Sequence, residues 1–301
     1  MTTAIDIRGV SRRFGRVTAL DDVSITVPEH CLIGLLGRNG AGKTTLMSII
    51  AGQDRASEGR VDVLGHTPFE HGPTLRQIIY VRDNQRYPDD YRLHHVLRIA
   101  PAFAPNWNAD VAEELVDGLR IPAKTALKKL SRGQLSSVAI VLGLASRAPI
   151  TLLDEPYLGL DVTARSLFHT MLLREIAAHP RTIVLSTHLI EESASLLDRV
   201  VILDQGKVVV DDETEAARDS VVLLSGSTDA VDRVLSGRPV LESHTMGALT
   251  SVTAAGAADD SLRRRAAEQG VQVARATLQD LVSAHGAETP EPLELKKAIR
   301  V

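Results

Sequence analysis

The sequence is short of cysteine and of long apolar segments, and both absences limit what the protein can be. Cys31 is the only cysteine among 301 residues, so no disulfide can form within the chain and a reducing compartment fits best. No uncharged apolar run approaches the ~20 residues that a membrane-spanning helix needs, and the first residues lack the basic-then-apolar plan of a secretory signal. We therefore expect a cytoplasmic location and no membrane span in this chain.

The net charge of the chain is also small, and its aromatic residues are few. The 34 basic and 38 acidic residues give a formal net charge of −4, which provides no general attraction to nucleic acid or to anionic lipid. Of the four Phe, four Tyr and one Trp, five fall within residues 80–107. This cluster predicts either the core of a small helical region or a surface that binds a partner.

A glycine-rich segment between two regular elements is the most informative feature of the sequence. It follows a nearly wholly apolar stretch, residues 31–36, which is typical of a buried parallel strand. It precedes residues 44–51, which have the apolar spacing of a helix face. The segment matches the phosphate-loop pattern G-x-x-x-x-G-K-[ST]. Its residues are Gly37, Arg38, Asn39, Gly40, Ala41, Gly42, Lys43, Thr44 and Thr45.

Each residue type in this phosphate loop, residues 37–45, suits a triphosphate. Glycines permit backbone conformations closed to other residues and let the chain approach phosphate oxygens closely. Successive backbone N–H groups and the start of the following helix then face the negative charge. We expect Lys43 to reach the β and γ phosphates and the Thr44 hydroxyl to bind Mg²⁺.

Two further apolar strands end in polar residues. Residues 150–153 are followed by Asp154 and Glu155. Residues 182–186 are followed by Thr187 and then by His188. Ligands of open α/β sheets bind at the edge where the carboxyl ends of the strands meet, so these side chains should lie beside the phosphate loop. The first carboxylate should hold Mg²⁺, usually through water, and the second is placed to activate the attacking water.

A serine-led helix start lies between these motifs, at residues 130–134. Ser131 precedes a helical run and is a natural N-cap, and Gly133 leaves backbone amides open to an anion at the helix start. By themselves these residues predict a capped helix and nothing more.

Taken in order, the motifs resemble those of the ATP-binding subunits of ABC transporters. The resemblance covers about residues 1–217 and rests on five motifs at family-like separations, for example 131 − 43 = 88 residues from the phosphate-loop lysine to the signature serine. It implies ATP as the nucleotide, Mg²⁺ as the metal and ATP hydrolysis as the reaction. Residues 130–134 would be the signature loop, which in the family contacts the γ-phosphate bound by a second subunit.

The resemblance assigns a role to each matching residue. Phe14 would stack on adenine, although core packing is the simpler interpretation of this residue taken alone. The other ATP-binding roles fall to the phosphate loop, to Ser131, Gly133 and Gln134 of the signature loop, and to Asp161 of the D-loop. The catalytic roles fall to Lys43, Glu155 and His188, and the metal-binding roles to Thr44, Asp154 and Asp83.

Two positions depart from the family pattern. Arg132 occupies a signature position where the best-known form has glycine, which places a cation near the phosphates. The Q-loop glutamine of the family aligns with Asp83, and Gln85 lies two residues further on. Either residue could serve in that place, and the shorter reach and negative charge of aspartate bring coupling to the membrane partner into doubt.

The implied fold is α/β, with three parts along the chain. Residues 1–217 would form a phosphate-loop NTPase domain with a RecA-like core, an antiparallel β subdomain and a helical subdomain at about residues 84–147. Residues 218–287 predict a small α+β accessory domain with an aliphatic core, ferredoxin-like in one arrangement, because no aromatic residue follows position 216. Residues 288–301 predict a tail.

The implied function is to power export through a separate membrane permease. The short helical region and the appended C-terminal domain resemble ATPases paired with ABC-2 type permeases. The expected partners are a second ATPase subunit, identical or paralogous, and a permease that holds the chain at the inner face of the cell membrane. The alternative is a soluble ABC ATPase acting on the ribosome or DNA, but the acidic balance and the single, uninterrupted set of motifs disfavour it. A phosphate-loop kinase would have no use for Glu155 or the signature loop.

Overall fold

The computed structural model describes residues 2–82 and 85–286, which fall into two compact units with a boundary between Asp211 and Asp212. The domain limit predicted from sequence, between residues 217 and 218, lies inside a short helix of the second unit. The strands are β1 (Thr3–Phe14), β2 (Val17–Pro28), β3 (Leu32–Leu36), β4 (Glu58–Val63), β5 (Ile78–Arg82), β6 (Ile150–Asp154), β7 (Thr182–Ser186), β8 (Arg199–Asp204), β9 (Lys207–Glu213), β10 (Val221–Ser227), β11 (Val240–Met246), β12 (Leu249–Ala255) and β13 (Gln272–Arg275).

The helices connect these strands, and a short 3₁₀ helix covers Leu127–Lys129. They are α1 (Lys43–Ile50), α2 (Gly72–Leu75), α3 (Leu93–Phe103), α4 (Ala109–Gly118), α5 (Arg132–Ala145), α6 (Val162–Ala178), α7 (Ile190–Ser193), α8 (Thr214–Asp219), α9 (Thr228–Leu235), α10 (Asp260–Glu268) and α11 (Leu278–Gly286). None of these helices combines the length and the apolar composition that a bilayer crossing requires.

The first unit is built on a six-stranded sheet with the order β5-β6-β7-β3-β8-β9. The pairs from β5 to β8 are parallel, and β3, β6 and β7 are buried along their whole length, as their unbroken apolar sequences predict. In the register of these strands, Ser186 pairs with both Leu35 and Asp154. The carboxyl ends of β3, β6 and β7 therefore meet at one edge of the sheet.

A second, three-stranded antiparallel sheet has the order β2-β1-β4. Alternate residues of β1 and β2, such as Ile5, Ile7 and Val23, pack with Leu46 and Met47 of α1 in one apolar core. The sequence predicts a basic turn at residues 12–16, but β1 continues to residue 14 and only residues 15 and 16 turn. The strand is extended because its arginines reach acidic partners, with Arg12–Asp54 at 2.7 Å and Arg13–Glu58 at 2.6 Å.

The region predicted as helical contains α3, α4 and α5. Asn108 caps α4 by accepting a hydrogen bond from the Val111 amide at 2.8 Å. Ser131 caps α5, so the predicted helix start at the signature loop is present. Helix α5 packs on α4, α6 and β5. Its middle residues, 136–141, are all buried, so this part of the helix has no exposed face.

The second unit contains a four-stranded sheet with the order β11-β12-β10-β13, in which every neighbouring pair is antiparallel. Helix α9 connects β10 to β11, and α10 connects β12 to β13. This sequence of elements and this strand order are those of a ferredoxin-like βαββαβ fold. The core is aliphatic, with Val222, Leu224, Val231 and Leu262 fully buried, as the lack of aromatic residues requires.

Two ion pairs that each have one member on α6 differ in burial. Comparing them tests whether burial determines how much an ion pair contributes to stability. Arg147 and Glu175 form a buried pair with Nε–Oε2 at 2.9 Å, and Arg174 and Glu114 form a half-exposed pair with Nη2–Oε2 at 2.6 Å. We expect Glu175→Gln to lower the free energy of unfolding by about 3–5 kcal/mol, because it leaves a buried guanidinium without its counter-charge. Glu114→Gln should lower it by less than about 1 kcal/mol. Urea denaturation of both variants measures the difference, and equal losses would contradict the argument.

Candidate functional site

The phosphate loop takes its shape from two glycines that lie against other backbone segments. Gly37 has φ +136°, and a Cβ atom there would lie 2.2 Å from the Leu203 carbonyl oxygen. Gly42 has φ +106°, and its Cβ would lie 2.6 Å from the Ala19 carbonyl oxygen. Only glycine fits both positions. Gly42 is also the N-cap of α1, so the helix begins directly after this constriction.

The Lys43 side chain folds back onto the phosphate loop. Its Nζ donates hydrogen bonds to the carbonyl oxygens of Gly37 at 2.7 Å and Arg38 at 3.2 Å. Burial lowers the pKa of Lys43, while the nearby Glu155 and Asp154 carboxylates act in the opposite direction. A buried ammonium group held only by carbonyl oxygens can bind a phosphate in exchange, because a charged acceptor makes the stronger bond.

Asp154 at the end of β6 is joined to α1 by a hydroxyl. Thr44 donates to Asp154 Oδ2 at 2.8 Å, and the Tyr80 hydroxyl lies 3.3 Å from the same oxygen. Burial, and then the Asp154 charge, raise the pKa of Tyr80 to about 12, so its hydroxyl is a neutral donor at physiological pH. The other oxygen, Asp154 Oδ1, is buried and has no hydrogen-bond partner among residues 2–82 and 85–286.

These oxygen atoms suit a magnesium ion that is also bound by phosphates. Mg²⁺ is commonly held by one or two protein carboxylates together with substrate phosphates and water. Asp154 provides a buried, unpartnered carboxylate oxygen beside the Thr44 hydroxyl. The described residues contain no group of three or more His, Cys, Asp or Glu side chains that could hold a metal by themselves. The residues therefore fit a cation that arrives with the nucleotide.

Glu155 and His188 form a hydrogen-bonded pair at the same sheet edge. The Glu155 amide donates to the Ser186 carbonyl oxygen at 3.0 Å, which extends the contact between β6 and β7 by one residue. Glu155 has φ +53°, a left-handed conformation that costs a non-glycine residue about 1–2 kcal/mol. Its Oε2 atom lies 2.6 Å from His188 Nδ1 and accepts a hydrogen bond from the His188 amide at 3.2 Å.

A polar cavity of about 220 Å³ connects these groups. Six residues of the phosphate loop line it, together with Ala19, Asp154 and Glu155. The structure thus brings the loop and both carboxylates into one site, as predicted, and places His188 beside that site through Glu155. Among the described residues, those of the signature loop do not line this cavity.

The signature loop instead packs against the D-loop of its own chain. A Cβ atom on Gly133 would lie 2.1 Å from the Gly159 carbonyl oxygen, so the two backbones are in direct contact. Ser131 and Gln134 form a reciprocal capping box, with hydrogen bonds of 3.2 and 3.0 Å. Asp161 caps α6 through the Ala164 amide at 2.8 Å. Within one chain, therefore, each of these side chains stabilises a helix start.

Phe14 and Gln85 lie apart from the cavity. Phe14 is 48% exposed and its ring is covered by the Arg12 guanidinium at 4.3 Å, so it does not belong to the core. Asp83 lies outside the described residues. Gln85 lines an apolar groove of about 240 Å³ with aromatic residues of the helical region.

The sequence did not single out Tyr80 and Arg82 as residues of the site. They lie at alternate positions of β5, and Arg82 is paired with Asp154 in the β5–β6 ladder. Arg82 lies 4.6 Å from the Tyr80 ring and donates to Ser48 of α1 at 2.9 Å. No signal in the sequence marks these two residues, because the pairing of β5 with the strand that ends in Asp154 is defined only in the folded chain.

Comparison with known proteins gives consistent similarities. A family model described as "ABC transporter" matches residues 20–158. The aliphatic sulfonates import ATP-binding protein SsuB 1 of Burkholderia lata is 31% identical over 80% of this chain and 75% of its own length. The ABC transporter ATP-binding protein YtrB of Bacillus subtilis is 28% identical over 68% of this chain and 70% of its own length.

Solved structures show the same likeness in three dimensions. A structure titled as the ATP binding subunit of an ABC transporter has a TM-score of 0.65 and 25% identity, covering 72% of this chain and 92% of that chain. CbiO1 from Clostridium perfringens, titled as part of the transporter complex cbiONQ, shares the fold with a TM-score of 0.58 and 20% identity, covering 72% and 90%.

The contact between Gly133 and Gly159 gives a testable prediction. Gly133→Ala should lower the free energy of unfolding by about 1–3 kcal/mol, because the new methyl group meets a backbone carbonyl that cannot move aside. Gly143→Ala is the control in the same helix, since its methyl group would meet only side chains of Leu153 and Val81. It should change stability by less than about 1 kcal/mol, because alanine favours the helix. Thermal denaturation compares the two, and a harmless Gly133→Ala would refute the contact.

Proposed function

The chain belongs to the ABC transporter family as an ATP-binding subunit that hydrolyses ATP, and from this premise we propose that a pair of such subunits drives a separate membrane permease. Binding of ATP closes the pair and hydrolysis reopens it. One observation carries the proposal: the cavity with the phosphate loop, Asp154 and Glu155 contains none of the described signature-loop residues. Ser131 is exposed, so it is accessible to a second subunit.

In the proposed reaction, Lys43 and the loop amides bind the β and γ phosphates. Thr44 and Asp154 would hold Mg²⁺, which supplies neutralisation of the phosphate charge when it is bound. Glu155 lines the cavity beside this position and accepts the proton of the attacking water. His188 holds the Glu155 carboxylate through the 2.6 Å contact and fixes its orientation.

The second subunit completes the site in this proposal. The Ser131 capping box satisfies the Ser131 and Gln134 amides and fixes the first turn of α5, which begins at the exposed Ser131. A helix start of this kind attracts the γ-phosphate of ATP bound to the facing subunit. Phe14, exposed at the end of β1, is available to stack on the adenine. Each ATP is thus bound by both subunits, which explains closure on ATP binding.

The membrane partner is inferred from the relatives, which are named as ATP-binding proteins of transporters. This chain would lie at the inner face of the membrane, bound to a permease on another polypeptide. The export direction expected from the sequence has no support among the relatives whose names state a direction, since the sulfonate proteins are named as importers. Export therefore stays a prediction.

A variant that stays in the closed, ATP-bound dimer tests both the proposed dimer and the proposed membrane permease. Glu155→Gln should bind ATP, hydrolyse it at least about 100-fold more slowly and remain dimeric, because only the proton acceptor is lost. Purified from membranes with ATP, this variant should retain a polytopic membrane protein. Lys43→Ala is the control that cannot hold the phosphates and should stay monomeric in solution. Recovery of ribosomal particles or DNA with Glu155→Gln would instead support the alternative function.

The apolar groove beside Gln85 is the proposed docking surface for the permease. The aromatic residues that cluster in the sequence lie in two different places in the fold. Tyr80 is buried beside Asp154, whereas Phe103 is 74% exposed at the groove. Tyr87 and Trp107 also line the groove. An apolar groove with an exposed aromatic residue is the kind of surface that receives an amphipathic helix of a partner.

Removal of the exposed ring tests this surface. Phe103→Ser should leave the ATPase rate of the isolated chain unchanged, because the residue lies outside the cavity, and should weaken binding to the permease at least about tenfold. Leu173→Ser is the matched control, since Leu173 is an exposed apolar residue of α6 away from the groove. Co-purification of each variant with the permease identified by Glu155→Gln gives the comparison. Equal retention of both variants would exclude the groove as the docking surface.

A further inference from the structure

Asp154 owes its orientation to two hydroxyl groups. Only 5% of the residue is exposed. The Thr44 and Tyr80 hydroxyls both approach Oδ2, at 2.8 and 3.3 Å, and within the described part of the chain Oδ1 has no hydrogen-bond partner. This one-sided arrangement fixes the rotation of the carboxylate and directs its hydrogen bonds to a single oxygen.

We propose that Tyr80, supported by Arg82, is a positioning residue that keeps Asp154 oriented for the Mg²⁺ of Mg-ATP. The inference rests on the proposed role of Asp154 as a holder of that ion. Thr44 also belongs to the proposed metal site, so its oxygen would be shared with the ion when Mg-ATP binds. Among the hydrogen bonds of the described residues, Tyr80 makes one to the phosphate loop, to the Thr44 carbonyl oxygen at 3.5 Å. Tyr80 is not among the described residues that line the cavity, so its hydroxyl is the one that need not be shared with the ion.

Arg82 fixes the position of the Tyr80 ring. Its guanidinium lies 4.6 Å from the ring centroid and donates through Nη2 to Ser48 Oγ at 2.9 Å. Ser48 Oγ in turn donates to the Thr44 carbonyl oxygen at 2.7 Å. The ring is thus held between β5 and the first turns of α1, the helix that carries Thr44. Partners of metal ligands commonly change metal affinity when they are replaced, because they fix the orientation of the ligand.

The test is Tyr80→Phe, which removes the hydroxyl and keeps the ring under Arg82. The full chain is titrated with Mg²⁺ while ATP hydrolysis is measured, and binding of a fluorescent ATP analogue is measured separately in EDTA. We expect the Mg²⁺ concentration for half-maximal hydrolysis to rise about tenfold. The maximal rate at saturating Mg²⁺ and the metal-free affinity for the analogue should stay within about twofold of the wild type.

Two controls separate the possible outcomes. Tyr87→Phe removes another buried hydroxyl, one that has no hydrogen-bond partner among the described residues, and should leave the Mg²⁺ titration unchanged. Asp154→Asn should shift the titration by itself. If Asp154→Asn shifts it and Tyr80→Phe does not, the positioning role is wrong and the proposed metal site stands. If neither shifts it, the metal role of Asp154 fails as well. Equal losses of metal-free binding and of hydrolysis in Tyr80→Phe would mean a merely structural role and would also overturn the inference.

Discussion

The hydrogen bond from Thr44 to Asp154 is the interaction on which the site depends. It joins residues that follow β3 and end β6, two strands that are not neighbours because β7 lies between them. Two strand spacings amount to about 10 Å, so no side chain at the end of β3 itself would reach Asp154. The contact is possible because α1 begins directly after Gly42, which turns the chain back over the sheet edge. The phosphate loop and the proposed metal site are therefore positioned by one helix start.

Charge in the site is arranged around that contact. Lys43 on one side is held by carbonyl oxygens, and Glu155 on the other side is held by His188. The strained φ of Glu155 follows from its place, because the residue must leave β6 while its amide still bonds to the end of β7. Strain at such a position persists only when neighbouring contacts determine it fully. The parallel register of β6 and β7 provides those contacts, so the same sheet that forms the core also orients Glu155, the proposed catalytic carboxylate.

The sequence was most informative where chemistry and periodicity coincide. The phosphate loop, the apolar strand before Asp154 and the Ser131 cap are local patterns, and each is present at the predicted residues. The contacts of Tyr80 with Asp154 and of Gly133 with Gly159 join residues 74 and 26 positions apart, and no local pattern contains them. They depend on strand order and on the path of α5, which only the folded chain defines. The basic turn predicted at residues 12–16 was wrong for a related reason, because the acidic partners of Arg12 and Arg13 are distant in sequence.

Strand β5 and helix α5 are shared by the nucleotide site and the apolar groove. Even-numbered residues of β5, Tyr80 and Arg82, face α1, whereas Ile79 lines the groove and Val81 faces α5 at Gly143. Helix α5 begins at the signature loop, and Leu142, near its end, lines the groove. Its 14 residues span about 21 Å as one rigid element. Strand β5 and helix α5 are therefore the packed, regular elements that connect the nucleotide site with the proposed docking groove.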